Sequence, residues 1–311
     1  MKKLVAFVLM LTMLVTGTAV LSACGETEKN ITVVVREKGS GTREAFDKVV
    51  TDGEKFLEDK DADGKKVYYT TTDAIEQTKT GNVLTSVASD KNAIGYISLG
   101  SVNDSISVIK VNGVAPSETT VLDGTYKIQR PFVVMTKNGI ELTPITADFM
   151  KYMKSDLVEQ HAKDAGCIFL EDGAKRANAG KEPIAVGTYE KNETLPEGRI
   201  VIRGSTSMEK FINNVAKGYA DLYGAKAEDI FDIQLEGSSV GIKAVEDDTT
   251  GNVIGLSSAA VERDNIDSLN ACLDAVAVIV NKENTAITDL TINQLFDIFS
   301  GKIKKFSELS K

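Results

Sequence analysis

Residues 31–46 read ITVVVREKGSGTREAF. The β-branched run at the start predicts a strand, and the apolar residues that follow the stretch of glycines recur at helical spacing, which predicts a helix. Between them, Gly39 and Gly41 permit a tight turn, and Ser40 or Thr42 can cap the helix. The stretch is therefore a strand–turn–helix unit, the building block of an α/β fold.

The turn in this unit suits an anion. Free backbone N–H groups and the positive end of the helix dipole point to one spot. Arg36, at the end of the strand, adds a permanent charge and a fork of donors that matches a tetrahedral oxyanion. We expect half of an oxyanion-binding site here.

The same pattern occurs twice more, as GSTS at residues 204–207 and GSSVG at residues 237–241, each after a predicted strand. Each alone is weak evidence, because a serine that caps a helix after a strand is common. Three such turns and Arg36 favour a shared cleft, since ligands of open α/β sheets bind at the carboxyl ends of strands. Strands alternate with helices throughout, which predicts an α/β fold with mainly parallel central sheets.

Composition narrows the class of protein. The 311 residues suggest two domains, and 42% hydrophobic with 26% charged residues is ordinary for a soluble globular chain. Residues 1–23 contain two of the 36 basic residues and none of the 45 acidic ones, so the rest has 34 against 45, a net charge of −11. This charge argues against nucleic acid as a partner. The single histidine, His161, weakens mechanisms that need a histidine pair and most zinc sites.

The N-terminus has the pattern of a secretory signal. Two lysines precede an apolar run that ends in LSAC, at residues 21–24. This ending resembles a lipobox, in which residues 1–23 are removed as a signal peptide and Cys24 is lipidated. Residues 24–30 then form a short tether to the membrane. The alternatives are ordinary cleavage and an uncleaved anchor helix, although the run is shorter than the ~20 apolar residues that a membrane span needs.

Two other patterns, a partial calcium loop and a pair of cysteines, can each be interpreted as a chemical site or as ordinary structure. Residues 59–64 fit the first half of a calcium loop, but Thr70 occupies the position of the required acid, so a solvated turn and no metal is favoured. Cys167 and Cys272 lie in apolar contexts, which favours buried thiols, although export permits a disulfide.

One motif in the sequence supports an enzymatic function. GSSVG matches the nucleophile elbow G-x-S-x-G, with Ser239 as the nucleophile. The triad would need a histidine later in the chain, and His161 comes earlier. Nucleotide binding is also disfavoured, because these loops lack the third glycine of the dinucleotide fingerprint and the lysine of a P-loop.

Six blocks together resemble the phosphate-binding proteins of ABC phosphate importers: VVREKGSGTREAF, VIRGSTS, EGSSVGIKAV, IGLSS, AVAVIVNKEN and LTINQLFDIFSGKIKKFSEL. They cover nearly all of the chain after the signal peptide, and the set is highly specific. In the usual member the last block runs on into the first. Here the last ends the chain, so the sequence resembles a circular permutant, which is plausible because chain ends are often close together on the surface.

The resemblance implies a two-lobed fold of the type II periplasmic-binding-protein-like class, with a hinge between the lobes. Lobe one would combine residues 31–95 and 281–311, and lobe two would hold residues 99–280. The strands AIGYIS, at residues 93–98, and AVAVIVN, at residues 275–281, would cross between them.

Carried over block by block, the phosphate ligands of the family are Arg36, Ser40, Gly41, Thr42, Ser205, Thr206 and Ser238. Second-line candidates are Arg43, Ser207, Ser239 and Ser258. No catalytic residue, metal or cofactor is implied.

Two departures concern specificity. Many members have an aspartate where this chain has Ser258, and that carboxylate accepts the proton of hydrogen phosphate and repels sulfate. Some members have an acid where this chain has Lys38, for which Glu37 is the nearest substitute acceptor.

The expected function is a lipid-anchored extracytoplasmic solute-binding protein that captures inorganic phosphate and delivers it to the permease of an ABC transporter. Three alternatives stay open: the same architecture for another oxyanion such as sulfate or molybdate, a serine hydrolase that uses Ser239, and a binding or sensing lipoprotein without a transporter.

Overall fold

The computed structural model describes residues 30–169 and 185–310. The predicted signal peptide, Cys24 and most of the tether lie outside these ranges. The strands in them are β1 (Thr32–Arg36), β2 (Glu58–Lys60), β3 (Lys66–Tyr68), β4 (Ile75–Gln77), β5 (Ala93–Ser98), β6 (Ile106–Val108), β7 (Lys110–Val111), β8 (Gln129–Lys137), β9 (Ile168–Phe169), β10 (Ile200–Gly204), β11 (Phe231–Leu235), β12 (Val253–Ser257), β13 (Ile266–Asn281) and β14 (Asp289–Leu290).

The helices in the same ranges are α1 (Gly41–Asp47), α2 (Thr80–Ser89), α3 (Glu118–Leu122), α4 (Pro144–Met153), α5 (Val158–Asp164), α6 (Glu209–Leu222), α7 (Ala227–Ile230), α8 (Ser238–Glu246) and α9 (Ile292–Phe299). Among these described helices, none is long and apolar enough to span a membrane.

A ten-stranded mixed sheet dominates the described ranges. Its order is β11-β10-β12-β8-β13-β5-β1-β4, and β6 and β9 also pair with β13. Strand β10 is parallel to β11 and β12, and β1 is parallel to β4 and β5. Strand β13 is antiparallel to each of its partners, and β12 is antiparallel to β8. The α/β class is confirmed, but the prediction of mainly parallel sheets is wrong. The sheet is mixed because the long β13 is antiparallel to its neighbours in both halves of the sheet.

Two hydrophobic cores divide the sheet into two lobes. In the first, Phe46 of α1 and Phe296 of α9 pack with Tyr126, which precedes β8. In the second, Phe149 of α4 and Phe211 of α6 pack on the other half of the sheet. Smaller clusters cover the opposite faces of both halves, so each lobe has helices on both sides of its strands.

The bounds expected for the two lobes, residues 31–95 with 281–311 and residues 99–280, stay a prediction. Ile109, Val111, Val121, Tyr126 and Ile128 belong to the first core and not to the second. Strand β5, AIGYIS, lies wholly buried inside the first lobe. The N–H of Val276 donates to the carbonyl of Ile128 at 2.8 Å. We call the described residues that pack on the first core the first lobe, and those that pack on the second core the second lobe.

The parallel strands of both lobes end at the same cleft. Strands β1 and β4 end there in the first lobe, and β10, β11 and β12 end there in the second. The loops after parallel neighbours emerge at one edge of a sheet, where ligands bind. Gly39 has φ +95° in the first of these loops and Gly237 has φ +127° in another, conformations that glycine adopts without the strain of a side chain.

Candidate oxyanion site

A cluster of buried hydroxyl groups lies between the lobes. None of its members is more than 6% exposed. The first lobe contributes Ser40, Thr42 and Thr80, and the second contributes Ser205, Thr206, Ser207, Ser238 and Ser258. We call these eight residues the hydroxyl cluster.

The hydroxyl groups pair with one another, both across the cleft and within the second lobe. Thr42 Oγ1 lies 2.8 Å from Ser207 Oγ, and Thr80 Oγ1 lies 3.2 Å from Thr206 Oγ1, both across the cleft. Within the second lobe, the hydroxyl of Ser205 donates to that of Ser258 at 2.8 Å. A hydroxyl can turn its single proton to a new acceptor. The cluster is therefore a set of neutral hydroxyl groups that can turn to donate hydrogen bonds to an anion.

Gly41 allows the lobes to approach this closely. A Cβ atom built on it would lie 2.7 Å from both the carbonyl carbon and Oγ of Ser258, and 2.8 Å from Ser238 Oγ. Next to it, the N–H of Ser239 donates to the carbonyl of Gly39 at 3.3 Å. The first turn of α1 thus packs directly on the second lobe, and any side chain at position 41 would hold the lobes apart.

Arg36 lies at the end of β1 and is 2% exposed. Its Nε and Nη2 each donate to the carboxylate of Glu37 at 2.8 Å. Its Nη1 donates to Thr80 Oγ1 at 3.2 Å. Glu37 is therefore the acceptor that orients the guanidinium, in place of the acid that is missing at Lys38, and Nη1 is the end that reaches the hydroxyl cluster.

Arg43 supports the site without facing it. Its Nη1 donates to the carbonyl of Arg36 at 2.8 Å and to Glu76 at 3.0 Å, and its Nε donates to Asp47 at 3.1 Å. Two carboxylates already balance its charge. Burial raises the pKa of Asp47 to about 6, which outweighs the opposite effect of Arg43. In this structure the second-line candidate Arg43 thus bonds to the backbone of Arg36 and to two carboxylates.

A buried ion pair lies behind the cluster, and sequence reasoning missed it. Arg130 Nη2 lies 2.8 Å from Asp274 Oδ2, and Arg130 Nη1 donates to the carbonyl of Ser258 at 3.3 Å. Ser98 of the first lobe donates to Asp274 at 2.9 Å. Burial raises the pKa of Asp274 and lowers that of Arg130. The pair joins β8, which contains Arg130, and β13, which contains Asp274, to Ser258. In the sequence, the signal for this pair is an aspartate inside an apolar run.

The hydrolase alternative finds no support in the geometry. Ser239 is exposed, and His161 Nε2 pairs with the hydroxyl of Tyr152 at 3.0 Å. Burial lowers the pKa of His161. The contact of His161 with Tyr152 is unrelated to a catalytic triad.

The structure also describes the calcium-loop pattern at residues 59–64 and the two cysteines Cys167 and Cys272. Residues 59–64 belong to the hairpin of β2 and β3, where Asp61 Oδ1 accepts the N–H groups of Asp63 and Lys65 at 3.1 and 2.8 Å. Cys167 and Cys272 are both buried, and neither forms a disulfide.

Comparisons with known proteins agree with this architecture. The family described as "PBP superfamily domain" matches residues 22–156 and 185–310. The fold and this match define the class of the protein, that of the periplasmic-binding-protein-like proteins, and the α/β fold is type II within it.

Relatives narrow the class further. The chain is 33% identical over 304 residues to "Phosphate-binding protein PstS 2" of Streptococcus agalactiae serotype V. That alignment covers 95% of this chain and 94% of the relative. It is 33% identical over 282 residues to "Phosphate-binding protein PstS 2" of Streptococcus pneumoniae serotype 4, which covers 90% and 87%. A crystal structure of the phosphate-binding protein of a phosphate ABC transporter from Streptococcus pneumoniae TIGR4 superposes with a TM-score of 0.64 at 32% identity, over 90% of this chain and 99% of that one.

The chain belongs to the PstS family of phosphate-binding proteins. This confirms the resemblance, and the family is a non-enzymatic one. One alignment runs through nearly all of both chains, so the blocks have the same order in these relatives. The alignments do not show a circular permutation, which stays a prediction about the order of blocks relative to other members.

Proposed function

We propose that this chain is a lipid-anchored extracytoplasmic receptor that captures inorganic phosphate and delivers it to the permease of an ABC importer. The observation that carries the proposal is the convergence of the hydroxyl cluster, Gly41 and Arg36, from both lobes, in one buried cleft. Family membership supports it independently, since the relatives are described as phosphate-binding proteins.

Phosphate would be held mostly by neutral donors. The proposed ligands are Arg36, Ser40, Gly41, Thr42, Ser205, Thr206 and Ser238, with Ser207 and Ser258 as further hydroxyls. Backbone N–H groups at the start of α1 and hydroxyls from the second lobe would reach the same oxygens, and Arg36 adds one permanent charge. Because ligands come from both lobes, an anion stabilises the closed arrangement over an open one.

Specificity between oxyanions rests on Ser258. Its side chain is fully buried beside Ser205 and Ser238, so its hydroxyl can accept the proton of hydrogen phosphate. It cannot repel a fully ionised anion as a carboxylate would. Sulfate or molybdate is therefore the second candidate ligand.

The anchor and the transporter are proposed from the sequence and the family. The LSAC motif supports lipidation of Cys24, and the relatives include a protein of a phosphate ABC transporter. Metabolic labelling with palmitate should mark the parent and not Cys24→Ala. Deletion of the permease should abolish phosphate uptake that depends on this chain. If removal of this chain leaves phosphate uptake unchanged, a sensing lipoprotein without a transporter is favoured instead.

Titration calorimetry with phosphate, sulfate and molybdate tests the ligand. We expect phosphate to bind most tightly, with one anion per chain. Tighter binding of sulfate would replace phosphate by the second candidate. Failure of all three to bind would overturn the proposal.

A further inference from the structure

Thr80 is a member of the hydroxyl cluster that neither the motifs nor the family blocks indicated. It begins α2, directly after the loop that follows β4, and is 6% exposed. In the structure it lies opposite Thr206 and Ser207 of the second lobe, at 3.2 and 3.4 Å.

The contacts of Thr80 determine where its proton can point. A hydroxyl has one proton and two acceptor sites. Arg36 Nη1 donates to Thr80 Oγ1 at 3.2 Å, and a guanidinium nitrogen cannot accept in return. The proton of Thr80 is therefore free to point to the cleft, where Thr206 and Ser207 are its present partners. An anion held by Arg36 at Nη1 would lie next to this proton.

We propose that Thr80 is a direct ligand of the bound oxyanion, which it would contact from the first lobe opposite Thr206. The inference rests on the proposed function, because it uses the same cleft and the same anion. It adds the start of α2 to the proposed ligands of the first lobe, which otherwise come from β1, α1 and the turn between them.

A cavity supports this position. It has a volume of about 480 Å³ and reaches the hydroxyl cluster at Thr80 and Thr206, between the starts of α2 and α6. The lining also includes Lys79, Asn82 and Asn213 and two acidic residues, Glu209 and Glu236, so much of it is polar. Thr80 and Thr206 are the members of the hydroxyl cluster that line this cavity, one from each lobe.

The test replaces the hydroxyl at nearly constant volume. Thr80→Val should weaken phosphate binding at least tenfold, as expected for the loss of a hydrogen bond to a charged group. Thr80→Ser keeps the hydroxyl and should bind within threefold of the parent. Thr85→Val is the matched control, because Thr85 is exposed on the same helix and its hydroxyl donates to the carbonyl of Gly81.

A double-mutant cycle separates a ligand from a contact between lobes. If Thr80 binds the anion, Thr80→Val should also weaken binding at least fivefold in the Thr206→Val background. If Thr80 acts only by holding Thr206, it will have no further effect there, and the proposal is overturned. Binding of Thr80→Val within threefold of the parent would overturn it as well.

Stability and the parent protein provide the remaining controls. The unfolding temperature without phosphate should be similar in all variants, and Thr80→Ala serves as the hydroxyl-free variant if valine impairs folding. Absence of phosphate binding in the parent would count against the proposed function. Tight binding in the parent with no loss in both hydroxyl-free variants would count against Thr80 alone.

Discussion

Replacement of Arg36 by alanine probes the charge of the site most directly. In the contacts of the described residues, Glu37 and two backbone carbonyls take Nε and Nη2, and Thr80 takes one proton of Nη1. One N–H of Nη1 is left for an anion oxygen. Loss of one hydrogen bond to a charged group costs about 1.5–3 kcal/mol, or about 10- to 150-fold in affinity.

The same variant has a second consequence. Arg36 and Glu37 form a nearly buried ion pair, with side chains 2% and 17% exposed. Without Arg36, the carboxylate of Glu37 faces the anion uncompensated. At separations of about 4–8 Å and an effective dielectric constant of about 20, this repulsion is about 2–4 kcal/mol before screening by solvent. The total loss for Arg36→Ala should therefore exceed that of the hydrogen bond alone.

Titration calorimetry of four proteins measures both parts. Arg36→Ala should bind phosphate at least 10-fold more weakly than the parent, and Arg36→Ala/Glu37→Gln should recover part of the loss. Arg263→Ala is the control, because Arg263 forms an exposed ion pair with Glu246 in the second lobe. Parent-like affinity of Arg36→Ala would refute the site assignment. Equal affinity of the single and double variants would refute the argument from Glu37.

Three further predictions concern approach, specificity and pH. Gly41→Ala puts a Cβ within 2.8 Å of the second lobe and should weaken phosphate binding by about 1–3 kcal/mol in calorimetry, whereas Gly81→Ala, where a Cβ meets open space, should not. Ser258→Asp should raise the affinity ratio of phosphate to sulfate at least tenfold, about 1.4 kcal/mol, because a carboxylate repels the ion that carries no proton; an unchanged ratio would contradict this. The folded-state pKa of Asp47 is raised from 3.8 to about 6, so the native state holds a proton that the unfolded state has lost between these values. This contribution is fully present below pH 4 and is lost as pH rises through 6, about 2–3 kcal/mol by pH 7. In denaturant unfolding between pH 4 and 7, Asp47→Asn should therefore lose less stability than the parent, and parallel curves would count against the raised pKa.

The sequence predicted those parts of the site that depend on neighbouring residues. Glycine and serine turns between a strand and a helix are local patterns, and the three that were identified meet in one cleft. Thr80 was missed because its loop follows the three-residue strand β4, which is too short to leave a periodic signal. Arg43 and Ser239 lie next to the site in sequence, yet one pairs with carboxylates and the other is exposed.

By itself, the sequence determined the strand–turn–helix units, the α/β class and the residue types at the cleft, because backbone preferences and hydrophobic periodicity act over a few residues. Tertiary structure alone decided the direction of β13 and the pairing of Thr80 with Thr206, 126 residues apart. It also decided that Arg130 contacts Asp274, 144 residues away, and the carbonyl of Ser258, 128 residues away. Such contacts arise from the packing of whole elements, and no local pattern specifies them.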